Sequence, residues 1–283
     1  MMNIEEIGEP IIYHGSRRTD FVNLLSKILK DGNLKQKYID ILLSTDGLKE
    51  YDIAFTSASA NEKENYEVYE QLGDLSANKF IVSYMYNKFP NLRCSEAVKI
   101  VARLRIVYGS KQTFFGIAEK LGFWEFISAS EDQRNSEKKK LLEDAFEAFI
   151  GVTEYLLDTK IRNGVGYAIV YEILKSVFDR LDISLKYENL YDAKTRLKEL
   201  FDFYNKGGET NFGSLAYEET KDMELKLTTS IVYRKINDKK IKIGEGVASL
   251  KADAQQRAAQ CAIYKLNNQG LSKPIPSIYL GLI

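Results

Sequence analysis

Glu67-Val-Tyr-Glu-Gln-Leu-Gly-Asp74 and, further along, Leu141-Leu-Glu-Asp-Ala-Phe-Glu-Ala-Phe-Ile-Gly151 are the two stretches on which the reading of this chain turns. In the first, Glu67, Glu70 and Asp74 recur at i, i+3 and i+7, which places three carboxylates in one narrow stripe of a helix. In the second, Asp144 and Glu147 stand at i and i+3, again on one face. Such spacings arise often by chance in a chain with 40 acidic residues, and a solvated face is the ordinary reading of any one pair. Their neighbours argue otherwise. Glu70 and Asp74 bracket Leu72-Gly73, and Asp144 and Glu147 sit among Leu141, Leu142, Ala145, Phe146, Ala148 and Phe149. A carboxylate in so apolar a helix is partly desolvated unless something positive stands beside it. Neither stretch offers a histidine or a run of arginines. Hard divalent cations meet the need, and Mg²⁺ takes carboxylate oxygens with water and phosphate completing its shell. Two such helices side by side would hold a metal pair suited to in-line attack on a phosphodiester.

Outward from these stretches the pattern stays helical up to about Leu185. Val22, Leu25, Ser26 and Leu29 keep the 3–4 spacing, as do Leu72, Leu75, Lys79 and Val82. No proline falls between Pro90 and Pro274, which suits long helices. One polar run, Ser128 to Lys140, reads as a loop between two apolar helical patterns. Past Leu185 the texture changes. Asp192-Ala-Lys-Thr-Arg-Leu-Lys-Glu-Leu-Phe opens a helix that Gly207-Gly208 stops. Strand-like runs follow around Leu225, Leu227 and Ser230-Ile-Val-Tyr, then at Lys240-Ile-Lys-Ile-Gly. A last helix with a thin stripe of small residues (Ala258, Ala259, Ala262) runs from about Ala252 to Leu266. Helix, three strands, helix make a small α+β unit separate from the all-helical body.

Composition narrows the chemistry. The 283 residues carry 45% apolar and 28% charged side chains, ordinary values for a folded chain. No apolar run is long enough for a membrane span, and the acidic start lacks the pattern of a secretory leader. Two distant cysteines, Cys94 and Cys261, predict a reducing, cytoplasmic setting without a disulfide framework. The single histidine, His14, rules out Ser-His-Asp triads, Cys-His dyads and His-rich zinc sites. Hydrolysis here must rest on carboxylates, with or without hard metal ions. The 40 basic and 40 acidic residues cancel, although residues 190–268 hold 14 basic against 11 acidic ones.

Glu67–Asp74 resembles the ribonuclease III signature ERLEFLGD, and Leu141–Gly151 resembles that family's second acidic motif, LADAFEALIG. Between them, Leu104-Arg-Ile-Val107 and Ile117-Ala-Glu-Lys-Leu-Gly122 also read like the family, and Ala54-Phe-Thr-Ser-Ala-Ser59 looks like its ALTHRS segment, with Ser57 where histidine is usual. The second unit looks like a double-stranded-RNA-binding domain. The resemblance implies an all-α endonuclease domain over 37–187 and an α-β-β-β-α RNA-binding domain over 188–268, flanked by an extension, 1–36, and a tail, 269–283. It implies that Glu70, Asp74, Asp144 and Glu147 bind metal, Mg²⁺ or Mn²⁺ in its place, with Glu67 as a supporting catalytic glutamate. It further implies a homodimer in which each subunit cuts one strand of double-stranded RNA, leaving short duplexes with 5′-phosphates and 3′ overhangs. A catalytically silent RNA-binding or assembly subunit is the alternative, against which four intact carboxylates weigh. Whether the substrates are ribosomal or messenger precursors or short silencing duplexes stays open.

The chain departs from the family at several places. Val68-Tyr69 replace Arg-Leu, Gln71 replaces Phe, and Tyr66 replaces the Asn before the first glutamate; none removes a charge, so these changes are expected to tune packing or dimer contacts. The RNA-binding unit departs more. The family's last helix opens with a basic cluster, KKxAK, whereas Lys251-Ala-Asp-Ala-Gln255 keeps one lysine and gains an aspartate. Each lost phosphate contact weakens binding and flattens its salt dependence. Glu199 matches a position that reaches the RNA minor groove, where 2′-hydroxyls are displayed. Arg257, Lys239 and Lys240 are expected to compensate in part. Lys138–Lys140 reads as a solvated basic loop, Arg17-Arg18 as surface charge on a packed helical extension, Trp124 as core, and both cysteines as small buried residues. The apolar tail from Leu271 reads as either docked or a partner contact.

Overall fold

The computed structural model describes Arg17 and residues 19–206, 212–237 and 239–281, so the Gly207-Gly208 stop, His14 and Arg18 lie outside the described residues. The chain divides into two compact units, with the division between Asp182 and Ile183. The first is helical: α1 (Thr19–Asp31), α2 (Gln36–Leu42), α3 (Thr45–Ala54), α4 (Glu67–Lys88), α5 (Val98–Tyr108), α6 (Lys111–Leu121), α7 (Glu131–Ser136), α8 (Lys138–Lys160) and α9 (Val165–Phe178).

Helix α8 is its axis. Every residue from Asp144 to Thr153 is buried, the signature of a helix enclosed on all sides. Helix α4 crosses it at two glycines. A Cβ on Gly73 would fall 1.7 Å from the Glu147 carbonyl oxygen, and one on Gly151 would fall 2.0 Å from that of Tyr69. Only glycine lets the two backbones come so close. The core face of α4 is Gly73, Ser76, Ala77, Phe80, Ile81, Tyr84 and Met85. The spacing of Leu72 and Leu75 correctly marks a helix, but these two point outward, with Val68 beside them; Val68 and Leu75 are 69% and 68% exposed.

Three expectations fail here. The polar run 128–140 is not a loop: Ser130 caps α7 by accepting from the Gln133 amide at 3.3 Å, and α8 already starts at Lys138. Arg17 is not surface charge. Its guanidinium donates to the carbonyls of Asp52, Phe55 and Phe126 and to the hydroxyls of Thr56 and Ser128, clamping the chain ahead of α1 onto two segments of the body, 52–56 and 126–128. Cys94 is exposed and Cys261 only half-buried. Trp124 is half-buried, with the Arg134 guanidinium stacked 3.9 Å from its ring centre.

The second unit comprises α10 (Tyr187–Leu190), α11 (Ala193–Lys206), a sheet of β1 (Ser214–Asp222), β2 (Leu227–Ile236) and β3 (Lys239–Ala248), then α12 (Lys251–Asn268) and α13 (Ser277–Leu280). The strands pair antiparallel in sequence order, with a bulge in β3 at Ile243, opposite Val232/Tyr233. Both long helices close over one sheet face around Leu197, Phe201, Val232, Ile243 and Ala258. The small-residue stripe of α12 has a backbone reason: a Cβ on Gly246 would sit 2.4 Å from the Ala258 amide nitrogen, so strand and helix pack main chain to main chain. Leu225 lies in the β1–β2 turn rather than a strand, and the tail docks within this unit, with Tyr279 buried against Tyr187 and Tyr191.

Candidate active site

The glycine crossing decides what faces what. Glu70 and Asp74 stand on either side of Gly73, Glu147 four residues before Gly151, and the close approach brings the two sets into one open recess of about 450 Å³, lined by Glu70, Gln71, Asp74, Leu75, Glu143 and Glu147. Asp144 is buried beside it, and its Oδ2 accepts a hydrogen bond from the Tyr66 hydroxyl at 2.9 Å. Asp74 Oδ1 accepts from the Asn78 amide at 2.7 Å, and Asn78 Oδ1 in turn accepts from Arg105 at 3.2 Å. Glu67, at the start of α4, is exposed and does not line the recess.

Crowding burdens these carboxylates with charge they cannot easily carry. Burial, then Asp74, Glu143, Glu70 and Asp144, push the Glu147 carboxyl up to about 9. Burial, then Asp144 and Glu67, push Glu70 up to about 7, against the pull of Lys140. Burial also raises Asp144, to about 6, although its hydrogen bond from Tyr66 and the charge of Lys140 act in the opposite sense. Strongly raised carboxyls gathered in a recess are a mark of functional sites.

Besides Asn78, two residues of this site escaped the sequence reading. Glu143 adds a fifth carboxylate, and its place four residues before Glu147 was the available signal. Lys111, at the start of α6, forms an ion pair with Glu143 and adds positive charge beside Asp144; nothing in its sequence position announces this. Tyr66, expected only to tune packing or dimer contacts, holds a site carboxylate instead. Among the described residues no three Asp, Glu, Cys or His side chains are drawn together tightly enough to hold an ion.

Of the five positions expected to contact RNA, four are engaged within the second unit. Lys251 pairs with Glu219 on β1 at 3.1 Å, and Lys240 with Glu218. Glu199 accepts from Lys273 of the tail and from the Tyr187 hydroxyl. Arg257 donates to the Val247 carbonyl at 2.6 Å, and Lys239 is exposed at the start of β3.

A helical domain with carboxylates from two crossing helices facing one recess, in a chain that also carries an α-β-β-β-α unit of double-stranded-RNA-binding type, defines a class of RNA-directed nuclease folds. The Ribonuclease III domain family matches residues 67–155, which contain the recess carboxylates of both helices. The chain is 42% identical over 278 residues to a protein of Invertebrate iridescent virus 6 to which the name ribonuclease 3 is ascribed, covering 93% of each. A protein of Frog virus 3 (isolate Goorha), named in the same way, is 38% identical over 250 residues, covering 88% of this chain and 62% of its own. Ribonuclease 3 of Desulfotalea psychrophila is 29% identical over 242 residues, covering 83% of this chain and 90% of its own. The chain belongs to the ribonuclease III family and is an endoribonuclease. No helix among the described residues is long and apolar enough to cross a membrane.

Proposed function

We propose that this protein cleaves double-stranded RNA by metal-assisted hydrolysis, with Glu70, Asp74, Asp144 and Glu147 as metal-binding side chains, Glu67 in a supporting place, and Mg²⁺ as the working ion. The observation that carries this is the crossing at Gly73 and Gly151, which turns carboxylates of α4 and α8 toward one recess. The donor set fits a hard divalent cation: it is oxygen only, partly buried, and repels itself enough to raise three carboxyls. When bound, such ions polarise a phosphoryl oxygen and supply hydroxide at neutral pH.

The chain's own residues do the rest. Asn78 orients Asp74 and Tyr66 orients Asp144, while Lys111 and Lys140 limit the negative charge that a phosphate backbone would meet. The endonuclease domain is assigned to 37–187 and the RNA-binding domain to 188–268, with Lys239, Lys240, Lys251, Arg257 and Glu199 as its RNA contacts. Because Lys251, Lys240 and Glu199 already have partners, this domain binds duplex weakly. The exposed stripe Val68, Leu72 and Leu75, on the helix that carries Glu70 and Asp74, supports homodimerisation through the helical domain. Two such sites cut one strand each and leave short duplexes with 5′-phosphates and 3′ overhangs.

Incubating a long duplex with the protein in EDTA, Mg²⁺, Mn²⁺ or Ca²⁺ tests the reading. Cleavage with Mg²⁺ or Mn²⁺ alone is expected. Undiminished cleavage in EDTA would overturn it.

A further inference from the structure

Two of the places where this chain departs from its family's motifs meet in space. Ser57 stands where the family has histidine, Tyr66 where it has asparagine, and each is 2% exposed. The Tyr66 hydroxyl donates to Asp144 Oδ2 at 2.9 Å, and Ser57 is buried beside the same phenol. Both are anchored at their backbones: the Tyr66 amide donates to the Thr56 carbonyl at 2.9 Å and the Ser57 amide to the Ser128 carbonyl at 2.8 Å. The Ser57 hydroxyl is itself held by Gln133 Oε1 at 2.7 Å, on α7. Polar groups thus run from α7 through Ser57 and Tyr66 to Asp144 on α8, with the exposed Ser59 hydroxyl also donating to Ser57 and Gln133 at the α7 end.

We propose that Tyr66, backed by Ser57, is a positioning residue that fixes the Asp144 carboxylate for metal binding, so that the two departures act as one coupled substitution. A buried carboxylate with one oxygen tied to a phenol has its rotation fixed and presents its other oxygen in a single direction. Partners one step behind a metal ligand typically change metal affinity by about 10–100-fold when removed. Tyr66→Phe keeps the ring and its packing and removes only the hydroxyl. This inference rests on the metal-binding reading above.

The test measures Mn²⁺ binding by the electron paramagnetic resonance of free Mn²⁺, in the full chain and without RNA. Wild type, Glu147→Gln and Tyr66→Phe are compared, each checked by thermal melting. Tyr66→Phe should bind Mn²⁺ about 10-fold more weakly, with duplex affinity unchanged and with the lost cleavage rate recovered at high Mn²⁺. Wild-type Mn²⁺ affinity in a folded Tyr66→Phe would overturn the inference. Should Tyr66→Phe not fold, Ser57→Ala replaces it: a smaller loss of affinity, reversed by Mn²⁺, supports the coupling, and wild-type affinity overturns it. If Glu147→Gln binds Mn²⁺ as the wild type does, the metal-binding reading itself fails.

Discussion

At the scale of single residues, the raised carboxyls give the metal-free protein a pH signature. Glu147 moves from an ordinary value of 4.5 to about 9, chiefly through burial. Between those limits the folded chain holds a proton that the unfolded chain has released, so stability falls as pH rises. Glu70, at about 7, and Asp144, at about 6, add to the same slope in its lower part. The metal-free melting temperature should therefore be lower at pH 8.5 than at pH 5.5, and Glu147→Gln should flatten the difference. A melting temperature that rises over this interval would show that the carboxylates are not crowded as described. Glu70, Asp74, Asp144 and Glu147 could be singled out in the sequence from their apolar neighbours together with the resemblance of both stretches to the family's acidic motifs. Tyr66 was legible only as a departure, since its contact with Asp144 spans 78 residues of chain. Arg17 was misread for a related reason: one of two adjacent arginines near the N-terminus carries no sign that five acceptors await it.

At the scale of elements, the glycine crossing makes a sharp prediction. Gly73→Ala places a methyl group 1.7 Å from a backbone oxygen of α8, which no rotamer change relieves. Overpacking of this kind costs about 1–3 kcal/mol or more. A denaturant titration of Gly73→Ala or Gly151→Ala should show that loss, and cleavage should fall further than the unfolded fraction explains, because the separated helices no longer share a recess. The α12 helix supports a second prediction. Glu219 holds Lys251 by an ion pair and also accepts from Gln255, which is half-buried rather than solvated. Glu219→Gln should release Lys251 toward phosphate, tighten duplex binding by the full chain and steepen its salt dependence by a little under one unit in log–log slope. An unchanged slope would place the phosphate contacts elsewhere. Helix periodicity made α4, α8 and α12 readable. Strand β1 was harder to place, because Ala216-Tyr-Glu-Glu-Thr-Lys-Asp222 has few apolar residues and only one face to bury. Helix α7 looked like loop because its six residues have no apolar stripe and are set by the Ser130 cap.

For the whole molecule, the change of texture near Leu185 announced two units, and the division of the structure falls close by, at Asp182/Ile183. Assembly was less legible, because an outward apolar stripe and a core stripe have the same spacing. Leu72 and Leu75 are 42% and 68% exposed, so Leu72→Glu with Leu75→Glu should leave the fold intact. Sedimentation of that variant should give a monomer where the wild type gives a dimer at micromolar concentration. A wild-type monomer would contradict paired cutting. The central claim is that the carboxylates shared by α4 and α8 cut the duplex rather than hold it. It is tested most directly by measuring duplex cleavage and duplex binding on the same preparations of wild type and Glu147→Gln in Mg²⁺. The account predicts that the variant loses cleavage by about 100-fold or more, the several kcal/mol that bound metal charge supplies, while its duplex affinity is kept. Cleavage that persists, or binding lost in step with cleavage, would contradict it.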